Sequence, residues 1–176
     1  MDYFKKNFSE RSGFFPFFSY SKSNSEMRAD FYREILSEIP IKYQRIKFLI
    51  VNNKKFEDEK NGITDLRINS SSQALESYKK GISNPYFIDS IDINSEITPT
   101  ETECYVGVFS GWREFENSVT VEKIESFEKL AGKKVTFVPF SNFYRHNEVM
   151  EPIYNRITKL FPDKPLMILE WRVREW

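Results

Sequence analysis

The chain has 176 residues, of which 40% are hydrophobic and 30% are charged, as expected for one ordinary soluble globular domain. The 26 basic residues balance the 26 acidic ones, which argues against a nucleic-acid-binding protein because nonspecific affinity for phosphates needs excess positive charge. The single Cys104 excludes an intrachain disulfide and a cysteine-rich zinc site, and the single His146 excludes two-histidine metal sites. Any metal would have to bind to carboxylates. The six glycines form neither a Gly-x-Gly-x-x-Gly turn nor a Walker loop, and we predict no metal and no cofactor.

The first part of the chain predicts two segments that differ in composition. Residues 1–25 form an aromatic and Ser-rich N-terminal segment, and residues 26–100 form a mixed α/β segment. The apolar run around Phe14 favours a strand, although Pro16 cannot donate a ladder hydrogen bond and a disordered tail is the alternative. A boundary is expected near residue 100, because the preceding stretch is polar and contains Pro99.

Within the mixed segment, periodicity and capping residues predict an alternation of helices and strands. The predicted elements are a helix over 26–38 that ends before Pro40, a strand over 45–51, a solvated connection over 54–62, a helix over 73–81 and a strand over 86–93. The strand over 45–51 is rich in apolar residues and is expected in the centre of a sheet.

Residues 101–176 predict a β-α-β-α-β unit. Its strands are expected over 104–109, 134–140 and 166–170, and its helices over 120–131 and 150–161. Short connections in this alternation imply parallel strands with right-handed crossovers, so the fold class is α/β. Ligand sites of parallel sheets lie at the carboxyl ends of the strands, which here means residues 110–115, 140–147 and 170–176.

These three loops contain residues suited to binding carbohydrate. Aromatic side chains stack on the apolar faces of sugar rings, and polar side chains hydrogen-bond the hydroxyl groups. The candidate substrate-binding residues are Trp112, Asn142, Phe143, His146, Glu170, Trp171 and Arg172. Five of them have a structural alternative: the two tryptophans can pack against helices, His146 can cap a helix, and Arg172 can pair with Glu170. A glycosidase needs two carboxyl groups, and Glu170 is the only carboxylate at a predicted strand end with aromatic flanks, so no catalytic residue is assigned.

Three stretches of the last segment show a family resemblance. Residues 105–109, 124–138 and 165–171 resemble the opening of glycoside hydrolase family 26, the β-mannanase-like family, over residues 104–173. The resemblance implies the first third of a (β/α)8 barrel, whereas a complete barrel takes about 250 residues. The acid and nucleophile glutamates of that family lie on later strands. The resemblance therefore implies a truncated or partial chain, a fragment, or one half of a two-chain assembly.

A second and weaker resemblance involves other residues. Residues 17–24 followed by 28–32, and residues 115–118 with 122–124, are similar to sugar-nucleotide motifs of family 10 fucosyltransferases. This resemblance implies a reduced glycosyltransferase that uses a nucleotide sugar.

The favoured interpretation is thus a carbohydrate-active protein that binds or processes a poly- or oligosaccharide. The alternatives are the fucosyltransferase-like enzyme and a noncatalytic α/β interaction module. A partial barrel exposes sheet edges, so we expect a partner chain or a second copy to cover them. No segment approaches the roughly 20 apolar residues of a membrane span, and we expect a cytoplasmic protein with no membrane span and no nucleic-acid partner.

Overall fold

The computed structural model describes residues 13–17, 25–58, 62–92, 100, 102–110, 120–142 and 147–170, and within them the chain is an α/β protein with parallel sheets. In chain order the elements are β1 Gly13–Phe17, α1 Ser25–Lys42, β2 Ile46–Asn52, β3 Lys55–Asp58, β4 Gly62–Asp65, α2 Ser72–Ile82, β5 Phe87–Ile88, β6 Cys104–Phe109, α3 Val121–Ala131, β7 Val138–Asn142, α4 Asn147–Leu160 and β8 Leu166–Glu170. The α/β class predicted from the sequence is confirmed.

Parallel pairing connects strands from both ends of the chain. β2 pairs in parallel with β1 on one side and with β6 on the other, so the prediction that β2 is central is confirmed. β7 pairs in parallel with β8, and an isolated parallel bridge from Gly107 to Phe137 connects β6 to the start of β7. The four-stranded sheet has the order β1-β2-β6-β5, and β7 and β8 form a separate two-stranded sheet that the bridge joins to β6. Across this bridge β1, β2, β6, β7 and β8 follow one another in chain order, which we call the rising order, and residue 100 lies in the connection that leads into β6.

The two faces of this sheet are packed differently. Leu49, Val51, Val106 and Val108 belong to the larger core cluster, which contains side chains from all four described helices. Their neighbours along the strands, among them Ile50, belong to a smaller cluster with no helical member among the described residues. Because side chains alternate along a strand, one face carries the helices and the other carries a separate apolar cluster.

The first helix is longer than its sequence pattern predicts. Pro40 was expected beyond the end of the helix, but α1 continues to Lys42. Leu36 and Ile39 are completely buried, and the amide of Tyr43 donates to the carbonyl of Ile39 at 3.2 Å. Core packing and the hydrogen bonds of the last turn therefore hold the helix together past the proline, against its usual helix-breaking tendency.

Two further predictions in this region are corrected. The expected solvated connection over 54–62 contains β3 and leads into β4, and the two strands form an antiparallel hairpin. The expected strand over 86–93 is reduced to β5, which pairs only with the start of β6. In both places pairing with a neighbouring strand, which the residue pattern does not encode, decides the structure.

Thr136 fills the gap that the short β5 leaves beside β6. Its hydroxyl oxygen accepts a hydrogen bond from the amide of Val106 at 3.1 Å, and its hydroxyl donates to the carbonyl of Ile88 at 2.7 Å. Its own amide donates to the carbonyl of Val106 at 2.7 Å. Thr136 is only 2% exposed, so one buried side chain joins β5, β6 and the segment before β7.

Gly107 lets β7 approach β6 on the face opposite the helices. A Cβ atom at this position would lie 2.6 Å from Cε2 of Phe137, well inside van der Waals contact. The Phe137 ring therefore occupies the space that a side chain on β6 would need. Phe137 is 2% exposed and forms the smaller cluster with Ile50 and Tyr105.

We expect Thr136→Val to lower the free energy of unfolding by about 2–4 kcal/mol, because the Val106 amide and the Ile88 carbonyl lose their buried partner. Thr136→Ser keeps the hydroxyl and should recover most of this loss. Urea denaturation measures the difference, and Thr158→Val on the exposed side of α4 is the matched control. Equal stability of Thr136→Val and the wild type would contradict this role of the hydroxyl.

Gly107→Ala should destabilise the protein by about 1–3 kcal/mol through overpacking against Phe137. Because the clash involves one ring, Phe137→Leu should relieve part of it. We therefore expect a double-mutant cycle, measured by thermal denaturation, to give a favourable coupling energy between the two substitutions. Strictly additive effects would mean that the two residues do not share this space.

Candidate functional site

The carboxyl ends of the parallel strands form the candidate site. The strands of the rising order all end at the same edge of the sheet, and this edge is where parallel α/β proteins bind ligands. The strands that follow β1 in this order end in polar or aromatic residues, which are Asn52, Phe109, Asn142 and Glu170. The edge predicted from the sequence therefore exists as a structural feature.

Two of the candidate residues lie side by side at this edge. Asn142 and Glu170 are register partners at the ends of β7 and β8. The other candidates fall outside the described residues, and their roles stay predictions; they are Trp112, Phe143, His146, Trp171 and Arg172.

The structure also brings together two residues that the sequence analysis did not single out. Asn52 and Phe109 are register partners at the ends of β2 and β6, and the amide of Asn53 donates to the carbonyl of Phe109 at 2.8 Å. Asn52 is partly exposed, but its Oδ1 is buried and has no hydrogen-bond partner among the described residues. The strand ending at Asn52 was predicted, whereas its pairing with β6 was not.

The hairpin of β3 and β4 is anchored at the same edge. The amide of Leu66 donates to the carbonyl of Lys54 at 2.8 Å, and the amide of Ile68 donates to Oδ1 of Asn53 at 2.9 Å. Leu66 is 5% exposed and Ile68 is completely buried. These contacts fix where the hairpin leaves β2 and where the chain enters α2.

An ion pair closes the end of this hairpin. Arg67 donates to Asp65 from its backbone amide and twice from its guanidinium, with Nη2 at 2.6 Å from Oδ2. The guanidinium hydrogen bonds hold the pKa of Asp65 below its ordinary value, against the effect of partial burial, and the charge of Arg28 adds to the lowering. Asp65 is thus ionised and engaged with Arg67 at neutral pH.

The only cysteine of the sequence is not a nucleophile. Cys104 is completely buried at the start of β6, and burial raises the pKa of its thiol to about 12, with the charge of Lys47 opposing the shift. A thiol with this pKa stays protonated at neutral pH, whereas thiolate is the reactive form. Thiol chemistry is therefore not the basis of any activity at this residue.

The part of the chain that the structure describes contains no group of three or more His, Cys, Asp or Glu side chains arranged to hold a metal ion. No helix among the described residues combines the length and apolar character required to cross a membrane.

Comparison of the chain with family models, with curated proteins and with solved structures finds no match.

We expect Asp65→Asn to lower the free energy of unfolding by about 1 kcal/mol near neutral pH, a value reduced by solvent screening of the partly exposed pair. Since the folded-state pKa of Asp65 is lowered, its contribution is present above the unfolded-state pKa and is lost as the pH falls through the folded-state pKa. The difference in the free energy of unfolding between Asp65→Asn and the wild type should therefore become smaller at acidic pH. Denaturation at a series of pH values measures it, with exposed Asp163→Asn as control; a difference independent of pH would contradict the ion-pair assignment.

Proposed function

We propose that the protein is carbohydrate-active and binds a poly- or oligosaccharide at the carboxyl edge of its parallel sheet. The observation that carries this proposal is the register pairing of Asn142 and Glu170 at adjacent strand ends. An amide offers both a donor and acceptors, and a carboxylate offers strong acceptors, so neighbouring positions of these types suit the hydroxyl groups of one sugar unit.

The strand order supports the same proposal. Sequential parallel strands with helices on one face also occur in each part of a (β/α)8 barrel, where ligands bind at the carboxyl ends of the strands. The resemblance of residues 104–173 to glycoside hydrolase family 26 favours this comparison, and under this proposal the unit from β6 to β8 is the counterpart of the implied first third of a barrel.

Binding is proposed here in preference to hydrolysis. Of the last residues of the five strands in the rising order, only Glu170 carries a carboxyl group. Glycoside hydrolysis by the usual routes needs a second carboxyl group about 5–9.5 Å from the first. A single carboxylate can position a sugar through charge-assisted hydrogen bonds, which is the role proposed for Glu170.

A panel of ligands tests the proposal by thermal denaturation. We expect mannan oligosaccharides to raise the melting temperature by about 5–10 °C at a concentration near 100 times Kd, because a ligand that binds only the folded state stabilises it by about 2.7 kcal/mol there. GDP-fucose should give no shift. Stabilisation by GDP-fucose alone would favour the nucleotide-sugar alternative, and no shift with either ligand would favour the noncatalytic interaction module.

Substitutions at the strand ends localise the binding. Glu170→Gln should weaken saccharide binding by about tenfold or more, because it removes a charged hydrogen-bond acceptor. Glu125→Gln on the exposed side of α3 is the matched control and should bind like the wild type. Equal affinities of both variants, measured by titration calorimetry, would place the saccharide away from Glu170.

A further inference from the structure

We draw no further inference here: the strongest candidate, the apolar cluster of Ile50, Tyr105 and Phe137 on the sheet face opposite the helices, carries nothing further, because the part of the chain that the structure describes does not show what covers this face.

Discussion

The arrangement of the sheet depends on how β6 shares its second edge between two partners. β5 is only two residues long and pairs with the start of β6, so the backbone groups beyond it need another partner. The buried hydroxyl and the backbone amide of Thr136 supply this partner, and Gly107 then leaves room for the ring of Phe137. These contacts pair the segment before β7 with β6, and Val138 and Leu166 add apolar packing against the core that β2 and β6 share. Satisfying the backbone of one strand therefore determines where the last part of the chain lies.

The strand order that results determines where chemistry can occur. A right-handed crossover between neighbouring parallel strands places its helix on a fixed face, and strands that follow in rising order keep every helix on that face. The described helices contribute to one core cluster, while the opposite face carries Ile50, Tyr105 and Phe137. The same order brings the strand ends together at one edge. Asn52 and Phe109 at its centre, and Asn142 and Glu170 at its side, are consequences of one topology.

Apolar periodicity and capping residues were sufficient to predict the helices and strands that are stabilised by residues within the same segment. The expected strand 166–170 coincides with β8, and α3 begins one residue after the expected start at Thr120, which acts as its N-cap. The hairpin was missed because residues 54–62 contain one apolar side chain, so its stability comes from pairing rather than from an apolar face. The Asn52–Phe109 pair was missed for a related reason. It joins strands separated by α2 and a long connection, and neither register nor the burial of one oxygen atom is visible in a sequence.

The polar residues at this edge divide by what they do for the fold. Asp65 accepts hydrogen bonds from Arg67, and Asn53 accepts one from the amide of Ile68. These contacts stabilise the hairpin and the entry to α2, which explains why the two residues are present. Asn52 contributes nothing comparable through its carbonyl oxygen, although it lies on the central strand where satisfied polar groups matter most. Stability alone would favour an apolar residue at such a position.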